Sequence, residues 1–549
     1  MTISHLILKH YPELNDTQRQ IIGHIDGPLL VIAGPGSGKT YSIVLRALNL
    51  LLQEEAKPKE VVLCTFTEKA AFEMRDRLSA AARKVGCKWD LSNLTISTIH
   101  GLCNQILLDH RYLTELGPGY ETLDELTQLL FIFDNFDEII GPREGDCYLC
   151  HWKTRWTAIE GARGYFNKIT EELVDPGQLI SSGNDFLTAV GAAYKRYERA
   201  MINSNCVDFA HLQRHVFDLL KNPQTAEAVR RNLCYLMVDE YQDTNYIQEQ
   251  LLLKLTEWRH NLCVVGDEDQ SLYRFRGATV RNILEFPQRV PDCKVLKLTT
   301  NYRSHRTIVK LYDRWMASAN WSNPQGVPFR YDKTIEPDAS EEHPDYPSVL
   351  SIWGSNRRDE TERFADFVNF LKKNDVIADY SQVALLLHSV REDHSGPYLA
   401  ALEDRGIPAF CPRARAFFDI LVIRYMVACY AILFGWYGEG RGEVAGPVAH
   451  LATYVDEAIV ELGRRFGAPH PLAEALQRWT FQIEALREGE GLDMRPADYF
   501  YHLLALEPFK SATRNENTAR NLAIFSQLLN LFQSYYHYTV VTHSNRHFL

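Results

Sequence analysis

Three apolar runs in this chain each end in residues able to handle phosphate. VIAGPGSGKT, Val31–Thr40, reads as a buried strand and a glycine-rich turn, followed by an apolar helical pattern at Ile43, Val44, Ala47, Leu48 and Leu51. The turn, Gly34, Pro35, Gly36, Ser37 and Gly38, lets backbone N–H groups converge on a phosphate chain. Lys39 would then reach the β and γ phosphates, and Thr40 would ligate Mg²⁺. Ala33 stands where this loop pattern usually has its first glycine. CYLMVDEYQDTN, Cys234–Asn245, is a second buried strand ending in paired carboxylates, which suits Asp239 to a metal ion and Glu240 to orienting or deprotonating water. In the third run, VGDEDQSLYRFRGA (Val265–Ala278), Asp267 and Gln270 follow the strand NLCVVGD, with Tyr273, Phe275 and Arg276 close behind. Those aromatics suit stacking on nucleic-acid bases, worth about 1–3 kcal/mol per base. They would also fit as half-buried strand residues.

A scaffold must bring these ends together, and the pattern supplies one. Strands are expected at Leu29–Ala33, Val61–Phe66, Thr95–Thr98, Leu236–Asp239 and Leu262–Gly266. Strands alternating with helical patterns predict an α/β fold, a parallel sheet with helices on both faces and its ligand at the carboxyl edge. Between Thr98 and Leu236, the recurrence of Phe186, Leu187, Val190, Tyr194 and Tyr197 at helical spacing predicts a helical insertion with that stripe in its core. With 549 residues, 46% hydrophobic and 23% charged, the chain has ample core for several domains. The net charge of −11 argues against a basic coat, but phosphate binding depends on local lysines and arginines rather than on total charge.

The ordered blocks LNDTQRQ, AGPGSGKT, TFTEKAAFEMRDRL, STIH, VDEYQDTN, VGDEDQSLYRFRGA and NYRS resemble the UvrD/Rep branch of superfamily 1 DNA helicases, over about the first 305 residues. The resemblance implies RecA-like motor domains, ATP with Mg²⁺, and single-stranded DNA and DNA junctions as partners, with movement 3′ to 5′. It implies that Gln18 reads the adenine edge and Tyr302 stacks on it. Lys39, Thr40, Asp239, Glu240, Gln270 and Arg303 would surround phosphates, metal and attacking water, while Thr65, Phe66, Thr98, His100, Tyr273, Phe275 and Arg276 would meet the DNA strand.

Tyr41 stands where family members commonly carry an arginine; it would stack on adenine at the loss of a phosphate contact. Arg274 sits between the two aromatics. Neither a TxHxxKGLE-like nor a YVAxTRA-like block occurs, and VVTHSN, Val540–Asn545, lacks the lysine, glycine and acid of the former. The expectation is therefore a truncated or split ATP-dependent DNA helicase, with a second chain supplying the remaining motor motifs. An ATP-responsive DNA-binding regulatory subunit is the alternative, and part of a helicase–nuclease a lesser one.

The domain layout expected from these blocks has a first RecA-like motor domain at 1–115 and 205–290, interrupted by a helical insertion at 116–204. An incomplete second RecA-like domain follows at 291–420, with strands around Val349 and Val383 and a surface excursion at Pro324–Pro347. A partial helical insertion occupies 421–549, with Leu522, Phe525, Leu528, Leu529 and Phe532 as its apolar stripe. SNCVDFAHLQ, Ser204–Gln213, resembles the family's DFDDL-type return into the motor domain. Leu421–Tyr437 is apolar but slightly short and contains Arg424, so a buried helix is expected rather than a membrane span. Cys147, Cys150 and His151 match a haem-attachment pattern without a second CxxC, and accidental spacing is the reading. Scattered cysteines and no signal peptide point to the cytoplasm.

Overall fold

Each of the five apolar runs becomes a strand, and all five end at one edge. The computed structural model describes residues 3–272, 277–340, 347–411, 417–435 and 447–545. In chain order its strands are β1 Leu29–Ala33, β2 Val61–Thr65, β3 Thr95–Thr98, β4 Glu121–Leu123, β5 Cys206–Asp208, β6 Tyr235–Val238, β7 Leu262–Gly266, β8 Lys294–Leu298, β9 Thr300–Asn301 and β10 Glu336–Pro337. Six of them form one parallel sheet in the order β3-β2-β6-β7-β1-β8. The central strands are buried on both faces, which is why they read as continuous apolar runs rather than alternating ones. Leu29, Val31 and Ala33 face one helical layer with Ile43, Val44 and Leu48, while Leu30 and Ile32 face the other with Val238, Leu251 and Val264. Each such buried side chain contributes about 1.5–3 kcal/mol.

One buried cation organises the layer in front of the nucleotide loop. Arg46, on the helix Lys39–Leu52, is 1% exposed. Its guanidinium donates to the carbonyls of Ile21 and Ile25, and Asn49 Nδ2 donates to Ile22 O. Ile21 O and Ile22 O are carbonyls at the carboxyl end of helix Asp16–Ile22, which have no partner within their own helix, and Ile25 lies just beyond it. Arg46 therefore anchors the helix that carries Gln18.

Two expectations about the boundary after residue 290 are corrected. KVLKL, expected to open the second motor domain, is β8 of the first sheet, paired in parallel with Leu29–Ala33. Without it β1, which carries the glycine-rich loop, would be an edge strand with unpaired backbone groups. The stretch Pro324–Pro347, expected as a surface excursion, carries Lys333 and Ile335 at 6% and 2% exposure, and its β10 pairs with β9. One compact unit accordingly runs through Val349.

The insertion is helical, as its spacing implied, with helices Glu125–Asp134, Arg155–Glu171 and Asp185–Asn203 prominent. β4 and β5 pair at its base. Val190, Tyr194 and Tyr197 are buried in its core. There Tyr197 Oη and Gln128 Nε2 donate to Asp208, which also caps the helix Phe209–Leu219 and pairs with His211 Nδ1 at 2.9 Å.

The second unit, from Leu350 onward, is helical. Helix Leu421–Phe434 is buried among Leu462, Leu472, Tyr499 and Phe525, and its Arg424 reaches Glu457 and Glu461. Among the described residues no helix is long and apolar enough to cross a membrane. The strands expected around Val349 and Val383 are absent among the described residues. Both stretches lack a ladder partner, and a lone strand is not stable in water, so Leu350, Trp353 and Leu386 stand exposed.

Burial alone would lower the His211 pKa, but the carboxylate of Asp208, with Glu198 nearby, raises it from 6.5 to about 9. A raised pKa means stabilisation that is complete below 6.5 and lost as pH climbs through about 9. His211→Gln should cost about 3–5 kcal/mol at pH 6. The urea-denaturation gap to the wild type should narrow as pH rises from 6.5 to about 9.

Candidate nucleotide cleft and strand-binding wall

At the end of β1 the backbone turns through Gly36, at φ 68°, and Gly38, at φ 83°, into the helix that starts at Lys39. A Cβ on Gly36 would lie 2.9 Å from Arg303 Cβ and from the side-chain amide of Asn301, so only glycine permits this approach. Ser37 Oγ closes the loop by donating to Gly34 O at 2.7 Å. Across the cleft, Lys39 Nζ pairs with Glu240 Oε2 at 3.0 Å and Thr40 Oγ1 donates to Asp239 Oδ2 at 2.8 Å. The structure thus brings together Lys39, Thr40, Asp239 and Glu240, drawn from β1 and β6.

Burial, and then the charge of Glu240, push the Asp239 carboxyl up to about 6. Asp243, one turn further on, is pushed up to about 6 by the same two causes, and its buried Oδ1 has no hydrogen-bond partner. A carboxylate-rich site short of positive charge, with a hydroxyl beside it, fits a hard divalent cation such as Mg²⁺. Thr40 and Asp239 are the residues that would hold it.

Glu240 sits in the left-handed region, at φ 55°, a conformation that costs a non-glycine residue energy and clusters at functional sites. Gln242 explains how it is held. Its Nε2 donates to Glu240 Oε2 at 2.7 Å and its Oε1 accepts from Asp267 N at 3.0 Å, so one 1%-exposed amide joins the ends of β6 and β7. Sequence reasoning missed Gln242; the signal was its place two residues past the acidic pair. Gln270, half-buried, donates its amide to Asp267, which is fully buried.

The far end of the cleft is lined by Gln18, Tyr41 and Tyr302. Gln18 is 4% exposed and spends its Oε1 on the backbone of Asn15 in a capping box. Its Nε2 lies 3.2 Å from where a Cβ on Gly38 would be. Asn15 Nδ2 donates to Tyr302 Oη at 2.7 Å, and Tyr302 N donates to Gly36 O, which places an exposed phenol ring beside the loop. Arg303, next in the chain, is exposed. Tyr41 packs edge-on against Tyr11 and donates to Glu13 at 2.9 Å, so its ring is tethered at the rim.

The remaining candidates stand on the same sheet edge. Thr65 and Thr98 end β2 and β3 in register and are buried; Thr98 Oγ1 caps Gly101 N and donates to Glu68. Thr65, Phe66 and His100 line one small cavity together with Asp239 and Glu240. His100 is held by Gln213 Nε2 at 2.9 Å, and burial lowers its pKa to about 4, which leaves the ring neutral at pH 7. Phe209, 44% exposed, meets it edge-on with centroids 5.4 Å apart. Sequence reasoning did not single out Phe209, whose only signal was its place in the VDFAHL return. Tyr273, Phe275 and Arg276 lie outside the described residues.

Residues 14–291 match the family described as UvrD/REP helicase N-terminal domain. The chain is 31% identical to the ATP-dependent DNA helicase UvrD1 of Mycobacterium tuberculosis over 437 residues, 76% of this chain and 52% of the relative. It is also 31% identical to the ATP-dependent DNA helicase PcrA of Bacillus subtilis over 326 residues, 59% of this chain and 42% of that protein. The chain thus spans about half the length of the curated relatives it matches. The match over residues 14–291, which takes in five of the sheet's six strands from the helix of Gln18 to the segment after Gln270, assigns this chain to the UvrD/Rep helicase family.

Proposed function

We propose that this chain is the ATP-binding, strand-gripping part of an ATP-dependent DNA helicase that moves 3′ to 5′ on single-stranded DNA. The observation that carries the reading is the cavity shared by Asp239 and Glu240 on one side and Thr65, Phe66 and His100 on the other. A nucleotide and a DNA strand bound on those two walls would be separated by side chains alone. The aligned part covers about half of each relative, and duplex unwinding is proposed for the assembly that includes the rest, on this polypeptide or on a second chain.

The chemistry follows from the pair across the cleft. With no phosphate bound, Lys39 is neutralised by Glu240. Incoming β and γ phosphates compete for the Lys39 ammonium, and Glu240, released, is free to orient water on the γ phosphorus. Attack by that water passes its proton to the carboxylate and breaks the bond between the γ phosphorus and the β–γ bridging oxygen. Mg²⁺ at Thr40 and Asp239 would neutralise charge on the phosphate oxygens. Arg303, after β9, and Gln270, after β7, would flank the γ position, and Gln18 and Tyr302 would hold the base. Phe209 beside His100 adds an aromatic platform to the strand wall, extending the set Thr65, Phe66, Thr98, Tyr273, Phe275 and Arg276.

Binding of a fluorescent ATP analogue with Mg²⁺ tests the nucleotide half. Lys39→Ala should weaken it at least about tenfold, the loss of one charge-assisted contact of roughly 1.5–3 kcal/mol, and equal binding by the variant would refute the site. For the strand half, Phe209→Ala should reduce affinity for a fluorescent oligothymidylate, read by anisotropy, by about 1–3 kcal/mol. Unchanged affinity would remove Phe209 from the wall.

A further inference from the structure

The stretch from Arg330 to Asp338 does more than cover the surface. Lys333 is almost fully buried, and its Nζ contacts Asp267 Oδ1 at 2.6 Å, Glu268 Oε2 at 2.9 Å and Asp269 Oδ2 at 3.3 Å. Arg330 grips Asp269 with two nitrogens, Nε at 2.9 Å and an NH2 at 3.1 Å. Tyr312 Oη donates to the same carboxylate at 2.6 Å, and Tyr331 N donates to Glu268 Oε1 at 2.9 Å. Three consecutive acidic residues that would repel one another are thus all met from one downstream stretch. The Asp267 carboxylate is shared: Lys333 takes one oxygen and the Gln270 amide the other.

Two residues further, Ile335 is 2% exposed and lies against the nucleotide loop; a Cβ on Gly34 would fall 2.3 Å from Ile335 Cδ1. Next, Glu336–Pro337 pairs with Thr300–Asn301, and Asp338 N donates to Asn301 O. Asn301 in turn donates to Pro35 O at 2.7 Å and accepts from Arg303 N at 2.9 Å. A run of nine residues, Arg330–Asp338, therefore touches the Gln270 loop, the phosphate loop and the Arg303 turn in sequence.

We propose that Arg330–Asp338 is a strap tying these three nucleotide-facing elements together, with Lys333 as a positioning residue that sets where Gln270 points by fixing Asp267. Since Gln242 joins Asp267 to Glu240, which shares a cavity with Phe66 and His100, the strap makes nucleotide and DNA binding depend on each other. The inference rests on the ATP and DNA sites proposed above. A buried ammonium holding three carboxylates has no freedom to follow them separately, so the loop moves with the strap or not at all.

Affinity of the full chain for a fluorescent non-hydrolysable ATP analogue with Mg²⁺, measured without and with saturating oligothymidylate, gives a coupling ratio. For the wild type a ratio of about fivefold or more is expected. Lys333→Met should bring it close to one while changing the DNA-free affinity much less, and Lys333→Arg should restore most of it. Should Lys333→Met lack a cooperative melt, Tyr312→Phe, which deletes one hydroxyl contact to Asp269, should still lower the ratio about twofold. A wild-type ratio of one, or a wild-type ratio retained in folded Lys333→Met or in Tyr312→Phe, overturns the strap. A wild type that binds no nucleotide, or binds it as Lys39→Ala does, overturns instead the ATP-site reading beneath it.

Discussion

Crowded carboxylates at the end of a parallel sheet are the constraint around which this structure is arranged. Parallel strands deliver all their carboxyl ends to one edge, so Asp239 and Glu240 from β6 and Asp267, Glu268 and Asp269 from β7 arrive side by side. Burial and mutual repulsion would protonate or unfold such a group, and the rise of Asp239 and Asp243 to about 6 records the cost. Cations are supplied from elsewhere in the chain: Lys39, at the start of the helix after β1, meets Glu240, while Lys333 and Arg330 meet the acidic run after β7. The two compensations differ in a way that matters. Lys333 is sealed in, whereas Lys39 and Glu240 are partly exposed, as the proposed exchange of partners with phosphate requires.

That difference explains which parts were legible in the sequence. The glycine-rich turn, the acidic pair and the apolar runs are local patterns, in which spacing of a few residues dictates geometry, and the strands appear within one residue of where the pattern puts them. Lys333 is 66 positions from Asp267, and nothing local to RYDK marks its lysine as buried. The same holds for β8, whose alternating exposure reads as a strand but whose partner β1 lies far upstream. Phe209 and His100 are likewise brought together by packing across the insertion, not by spacing. The runs near Val349 and Val383 fail in the opposite sense, since β propensity without a neighbouring strand yields extended chain and no sheet.

Coupling between nucleotide and strand needs little machinery in this geometry. Glu240 is fixed by Gln242, Gln242 holds the backbone of Asp267, and Asp267 holds Gln270, so one hydrogen-bonded line runs along the sheet edge from β6 to β7. The strand wall abuts the same line, because Phe66 and His100 share a cavity with Asp239 and Glu240. Among the described residues Lys39 is the cation paired with Glu240, so a phosphate that drew Lys39 away would leave Gln242 as the first group to respond. Buried amides cannot exchange a partner for water at no cost, so a change at Glu240 must be answered by rotation or displacement of its neighbours. Those neighbours run through Asp267 to Gln270. Under the proposed function, a bound γ phosphate and a base held beside Phe66 and His100 would sit at the two ends of one short hydrogen-bonded path.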